Sequence, residues 1–220
     1  MIELKNAAGS AKCEYKSLDG RVLLSCCDSY PMISASLKEG ITYGVISDFS
    51  EGSWGLVKNI SEEGELWNGT IELNGKTADN SALRMISCSV GSIPEKCPAR
   101  TTIRSYINKS IKKKETDMTF EDLKEKFYIS DGRLDRRINL IGVEIWRFSL
   151  LAGFLQKKKI FSFPWLSPHH VFWGTKYSAP ILDFLKSQGK IILIPTNRID
   201  IAQTLCDEFI DIRYETLFPN

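Results

Sequence analysis

The chain has 220 residues, with 29 Lys and Arg against 27 Asp and Glu, which leaves a formal net charge of +2. Hydrophobic residues make up 43% and charged residues 25%, close to globular averages, so a disordered or fibrous chain is excluded. The near-balance of charge argues against a protein whose whole surface follows nucleic acid, and we expect no nucleic-acid partner. The length suits one domain with a sizeable subdomain.

Neither the apolar runs nor the cysteines point to a membrane or metal protein. The longest dense apolar run, Phe148 to Leu155, is far shorter than the roughly 20 residues that cross a bilayer. The N-terminal residues lack the hydrophobic core of a signal peptide, so we expect no secretion. The six cysteines include no C-x-x-C pair, and no zinc or redox site is indicated.

The first third of the chain is predicted to contain several strands and one helix. Short alternating or β-rich runs predict strands over 2–5, 32–37 and 41–46, and the apolar positions between 54 and 60 predict a helix. A strand over 69–76 closes on an Asn-Gly turn. The run 84–90 predicts another strand.

The middle of the chain is basic and helical. Six basic residues and no acidic residue lie between Ala99 and Lys114. This segment is either a solvated helix face or a surface for a membrane subunit or anionic lipid. Thr119 is a candidate N-cap, and the apolar positions between Val143 and Phe154 define one face of a strong helix.

The last third alternates strand and helix. Apolar runs predict strands over 160–163, 191–194 and 209–213. Helices are predicted over 177–188, where Gly189 ends the helix, and from 199 onward. Such alternation is typical of a parallel sheet covered by helices, so the fold class is α/β.

A degenerate phosphate-binding loop follows the strand 41–46. The pattern G-x-x-x-x-G-K-[ST] follows a strand and opens a helix. The segment from Ser47 to Gly55 has that place, but of the pattern only Gly52 is kept. Ser53 stands at the lysine that would meet phosphate, and Trp54 stands where a small hydroxyl would bind magnesium. Ser47 replaces the first glycine.

Three later segments complete an ordered series of landmarks. Leu140-Ile141-Gly142-Val143-Glu144 precedes the strong helix, Pro164-Trp165 follows the strand 160–163, and Asn197 follows the strand 191–194. Together with the loop at 47–55, this order resembles the nucleotide-binding domain of ABC transporters over nearly the whole chain.

The resemblance implies an α/β, P-loop NTPase-like (ABC ATPase-like) fold: a three-layer sheet with an antiparallel β subdomain and a helical subdomain. It implies one domain over 1–220. Residues 1–94 and 156–220 would form the core with the β subdomain, and 95–155 the helical subdomain.

The resemblance also implies which chemical groups are missing. Ile141 replaces the signature serine that would contact a γ-phosphate across a dimer, and Val143 replaces a glycine whose backbone approaches closely. Pro164 replaces the magnesium-linked Asp, Trp165 the general-base Glu, and Asn197 the switch His. No Gln stands between residues 84 and 119 to serve the glutamine loop. Because phosphoryl transfer needs such groups, the sequence predicts a pseudo-ATPase rather than an enzyme, with no cofactor and no metal site.

Weak binding of ATP remains open at this stage. The helix after Gly52 could accept an anion, although Asp48 and Glu51 add opposing charge. Trp54 and Trp165 either fill the vacated nucleotide site or line a pocket for another ligand, and filling is the favoured reading.

The leading functional hypothesis is a catalytically inactive ABC ATPase-like subunit that serves as a structural or regulatory partner in a membrane transporter. Its partners would be membrane-spanning subunits and an active ABC ATPase, in a homo- or heterodimer, and it would lie on the cytosolic face of the membrane. The alternatives are a soluble regulator or scaffold that reuses the fold, a nucleotide-binding sensor, and an enzyme with different chemistry in the remodelled cleft.

Overall fold

The computed structural model describes residues 1–16, 21–61, 64–94, 97–98, 100–165 and 168–213, with the backbone alone described at 16, 143, 168–177 and 201. Across these ranges the strands form an antiparallel and a parallel sheet. The antiparallel sheet has the order β2-β1-β4-β5, built from β1 (Ile2–Lys16), β2 (Val22–Leu37), β4 (Glu65–Leu73) and β5 (Lys76–Thr77). The parallel sheet has the order β6-β7-β8-β3-β9, built from β3 (Thr42–Ile46), β6 (Ser87–Ser89), β7 (Ile160–Ser162), β8 (Ile191–Thr196) and β9 (Glu208–Asp211).

The helices connect these strands and cover them. They are α1 (Ser53–Ser61), α2 (Asn80–Ile86), α3 (Ile103–Lys112), α4 (Phe120–Lys126), α5 (Asp131–Leu134), α6 (Ile145–Leu155), α7 (Pro168–Ser187) and α8 (Ile199–Leu205), with short 3-10 turns at Ile138–Leu140 and Gly142–Glu144. Within the described ranges no helix is both long and apolar enough to span a bilayer.

Helix α1 lies between the two sheets. Leu56, Val57 and Ile60 are buried in a core that also contains Ile2 and Leu4 of β1, together with residues of the parallel sheet. The helix is therefore held from both sides, and its N-terminus is fixed at the carboxyl end of β3.

A second core fills the helical region. Phe127 and Phe148 are fully buried there and pack with Leu151 of α6 and Ile181 of α7. As predicted, Thr119 caps α4: its hydroxyl accepts from the Asp122 N–H at 3.2 Å.

The strand predicted over 84–90 is wrong in its first half. Residues 84–86 belong to α2, and the strand β6 covers only 87–89. The reason is the helix start: the Asp79 carboxylate accepts from the Ala82 N–H at 2.7 Å and so begins a helix that continues through Ile86.

Strands β1 and β2 are much longer than the predicted runs 2–5 and 32–37. They pair antiparallel from Ile2↔Leu37 to Lys16↔Val22, with register shifts on the way. Residues 11–16 alternate apolar and charged side chains, but residues 6–10 are small or polar, so the strand state of that part comes from pairing with β2 and β4 rather than from a local pattern.

Candidate functional site

The candidate site lies at the carboxyl edge of the parallel sheet. The loop 47–52 leaves β3 there and runs into α1, while Pro164-Trp165 follows β7 and Asn197 follows β8. These are the ends of three neighbouring strands, which is where open α/β sheets bind ligands. The sheet thus brings three of the four sequence-predicted motifs to one edge.

A carboxylate occupies the start of α1. Asp28 of β2, which is fully buried, accepts from the Gly52 N–H at 2.7 Å through Oδ1 and from the Gly55 N–H at 2.8 Å through Oδ2. Free N–H groups at a helix N-terminus attract anionic oxygens, so this contact satisfies both partners. Asp28 therefore occupies N–H groups at the start of α1 that could otherwise bind an anion.

Burial and hydrogen bonding shift the pKa of the Asp28 carboxyl in opposite directions. Burial raises the pKa of the Asp28 carboxyl, and the backbone N–H groups of Gly55, Gly52 and Trp54 lower it, with burial the larger effect. The N–H groups at the start of α1 thus take the place of the water that would otherwise solvate the carboxylate.

Gly52 and Gly55 allow β2 to come this close to the start of α1. A Cβ at Gly55 would overlap the Asp28 carbonyl oxygen, and a Cβ at Gly52 would lie 2.8 Å from the Ser29 carbonyl oxygen. Gly52 also has a φ of +110°, a backbone conformation that other residues rarely adopt. The Gly52 retained from the loop pattern and Gly55 therefore serve the contact with β2 in this structure.

Ser47 and Ser53 add a second internal contact. The Ser47 hydroxyl accepts from the Ser53 N–H at 3.0 Å and donates to the Asp48 carbonyl oxygen at 2.9 Å. The Ser53 hydroxyl is fully buried and has no hydrogen-bond partner among the residues that the structure describes. The residue at the lysine position thus leaves an unsatisfied polar atom at the helix start.

Trp54 and Trp165 lie in different environments, one in the core and one in the wall of a pocket. Trp54 is 1% exposed and packs on Ala11 and Cys13 of β1. Trp165 is half-buried and meets the Phe49 ring edge-on at a centroid distance of 5.1 Å. Trp54 is therefore part of the core. Trp165 lines a pocket of about 370 Å³, whose walls also include Tyr15, Leu24, Phe49, Trp146 and Pro164.

Asn197, after β8, contacts the loop directly. The Asn197 side-chain amide donates to the Asp48 carboxylate at 3.2 Å, and both residues are exposed. Two positions 149 residues apart in the chain are thereby linked at the same edge of the sheet. The exposed carboxylate of Glu51 lies on this loop as well.

The segment 140–144 makes its hydrogen bonds within the helical region. Glu144 is buried, and its carboxylate accepts from the Ser130 N–H at 3.0 Å and from Arg147 Nη1 at 3.5 Å. Ile141 is fully buried, Leu140 is 61% exposed, and Gly142 has a φ of +60°. The side chain of Val143 lies outside the described residues. These contacts hold the segment against α6 rather than against the 47–55 loop.

A second cleft of about 320 Å³ runs beside α1. It is lined mostly by polar side chains and by the ends of β6 and β7, including Lys12, Glu14, Lys58, Ser89, Ser162 and Pro164. Among the described residues no group of three or more His, Cys, Asp or Glu side chains could hold a metal ion. The side chains of His169 and His170 fall outside that description.

Asp28 is the residue that sequence analysis missed. It follows Cys26-Cys27 in a stretch without a recognisable motif, and it stands 24 residues before Gly52. Only the pairing of β2 with β1, above α1, brings its carboxylate to the loop. No signal in the local sequence identifies such a contact.

Comparison with known proteins gives the fold. No protein-family model and no curated protein sequence matches the chain. Among solved structures, the ATP-binding subunit of an ABC transporter matches 97% of this chain and 87% of its own, with a TM-score of 0.65 and 16% identity. CbiO1 from Clostridium perfringens, part of the ABC transporter complex cbiONQ, matches 96% and 85%, with a TM-score of 0.63 and 15% identity.

A third structure is a dimeric ATP-binding cassette in a post-hydrolysis state bound to ADP and Pi. It matches 96% of this chain and 94% of its own, with a TM-score of 0.60 and 14% identity. The chain therefore has the α/β, P-loop NTPase-like fold of ABC transporter ATP-binding domains, and the predicted fold class is confirmed.

The comparison contradicts the expectation that the chain is not an enzyme. Solved structures that share its fold include the ATP-binding subunit of an ABC transporter and an ATP-binding cassette in a post-hydrolysis state bound to ADP and Pi. The prediction of a pseudo-ATPase is therefore wrong.

Proposed function

We propose that the chain is an ABC-type subunit of a membrane transporter, bound to membrane-spanning subunits at the cytosolic face and serving there as a structural or regulatory partner. In this proposal it pairs with a second ABC-type domain, which is either another copy or a different chain. Dimeric assembly and membership of a transporter complex are features of proteins that share its fold.

The observation that carries the proposal is the extent of the likeness. It covers 96–97% of the chain, so it includes the helical region as well as the sheets. A P-loop NTPase-like sheet without the helical region would suit many functions, since fold does not fix function. The helical region is the part that, by resemblance, adjoins the groove for membrane subunits.

The surface of this region supports the proposal. Lys109 and Lys112 of α3 are exposed, whereas Arg104 is engaged by Asp135 at 2.7 Å. The exposed apolar side chain of Leu140 adds a hydrophobic contact point on the same region. A basic surface with an apolar side chain suits a partner whose cytosolic loops carry acidic and apolar residues.

Site-specific photo-crosslinking tests the proposal. A photoreactive amino acid would replace Lys112 or Leu140 in the full chain, and Trp67 of β4, which is 58% exposed, would serve as the control. In the source cells, illumination is expected to link positions 112 or 140 to a membrane-spanning protein and to leave position 67 without that product. Products with soluble proteins alone, or equal products at all three positions, would favour the soluble scaffold instead.

A further inference from the structure

The start of α1 already holds an anion that belongs to the chain itself. The Asp28 carboxylate is fully buried and receives the N–H groups of Gly52 and Gly55 at 2.7 and 2.8 Å. Its two oxygens are used separately, one for each donor. This two-point geometry is also how anionic phosphate oxygens accept from the N–H groups of a helix start.

One set of N–H groups cannot serve two anions. A phosphate at Gly52 and Gly55 would meet the Asp28 carboxylate at contact distance, and two like charges in a buried place repel strongly. The fully buried Ser53 hydroxyl, which has no partner among the described residues, lies at the same helix start. It is a polar atom that an incoming phosphate oxygen would satisfy.

The geometry points to a tethered competitor: we propose that Asp28 blocks the 47–55 loop from within, so that the phosphate groups of a nucleotide bind there only after this part of β2 has moved away. The inference rests on the ABC-type function proposed above, since that function supplies the nucleotide. It assigns a regulatory role to a residue outside every motif of the loop.

The position of β2 makes such a movement feasible. Among the strands that the structure describes, β2 is an edge strand of its sheet and pairs with β1 alone. The β1–β2 register shifts between the pairs Ala7↔Ile33 and Gly9↔Tyr30, which places an irregularity two residues from Asp28. Cys27 and Ser29, its neighbours in the chain, are exposed. Edge segments with irregular pairing open at lower free energy than central strands.

Anion binding by the purified full chain tests the proposal. Calorimetry with pyrophosphate and with Mg-ATP would compare the unchanged chain with Asp28→Ala and with Asp79→Ala. Asp79 is a matched control because its carboxylate also accepts from a helix-start N–H, at 2.7 Å, but at α2. We expect Asp28→Ala to bind pyrophosphate at least about tenfold more tightly, because the competent fraction of molecules rises. Asp79→Ala should match the unchanged chain.

Equal affinities for the unchanged chain and Asp28→Ala would overturn the proposal, and so would the absence of binding in both. If Asp28→Ala does not fold, amide and carboxyl NMR shifts of the unchanged chain replace it. Pyrophosphate should then shift the Gly52 and Gly55 amides and the Asp28 carboxyl carbon together, and a shift of the amides alone would contradict displacement. These experiments use the isolated chain, so their outcome is independent of the crosslinking result.

Discussion

Gly55 lies so close to the backbone of Asp28 that a Cβ at position 55 would overlap the Asp28 carbonyl oxygen. Replacing a helical Gly with Ala normally stabilises a helix by up to about 1 kcal/mol. Here the opposite sign is expected, because the methyl group would push β2 away from α1. We predict that Gly55→Ala lowers the free energy of unfolding by about 2 kcal/mol or more, measured by urea denaturation.

Gly132→Ala is the control for this prediction. Gly132 lies in the short helix α5, and a Cβ there would find no atom within 4 Å. The substitution should leave the free energy of unfolding unchanged or raise it slightly. If Gly55→Ala were as harmless as Gly132→Ala, the close approach of β2 to α1 would not exist in solution.

Glu144 gives a second prediction, in the segment 140–144. Its buried carboxylate accepts from the Ser130 N–H at 3.0 Å, and Arg147, which lies 3.5 Å from it, donates to the Tyr128 carbonyl oxygen at 2.6 Å. Glu144→Ala removes a buried charged acceptor and with it the hydrogen bonds from the Ser130 N–H and from Arg147. We expect it to lower the free energy of unfolding by about 2 kcal/mol, and Glu144→Gln by less because the amide oxygen still accepts.

A surface ion pair provides the comparison. Glu121 pairs with Lys124 at 3.0 Å, and its side chain is 73% exposed. Exposed pairs contribute little, so Glu121→Ala should change the free energy of unfolding by less than about 0.5 kcal/mol. Thermal or urea melts of the three variants would separate the two cases. Equal effects at 121 and 144 would show that Glu144 is solvated rather than buried.

Much of the fold could be predicted from the sequence because the three central strands of its parallel sheet are mostly apolar. The runs that became β3, β7 and β8 carry their own signal, since each strand is buried at every position and strands covered on both faces are rich in apolar side chains. The Asn74-Gly75 turn also carries its signal: both residues have positive φ, as a tight hairpin turn requires.

The missed features depend on distant parts of the chain. The run 84–90 is compatible with helix or strand, and the cap at Asp79 decides in favour of helix for residues up to 86. Motif positions were found at the ends of strands, because spacing alone defines them. The carboxylate at the start of α1 could not be predicted, since Asp28 reaches Gly55 only through the pairing of β2 with β1.

The cysteines allow a prediction about chemical reactivity. All six are free thiols, and Cys27 is exposed, whereas Cys13 is fully buried. Burial raises the pKa of Cys13, and burial, with Asp207 nearby, raises the pKa of Cys206 to about 12. Because the thiolate is the reactive form, a raised pKa keeps these thiols protonated and slow at pH 8.

We therefore expect a disulfide reagent at pH 8 to modify Cys27 first in the folded chain and to leave Cys13 and Cys206 for last. Cys27→Ser should remove the fast phase, and Cys206→Ser should not change it. In denaturant all six thiols should react at similar rates, since the differences in their reaction rates come from folding. Peptide mapping that finds early modification at Cys206 would contradict its partial burial between α8 and the parallel sheet.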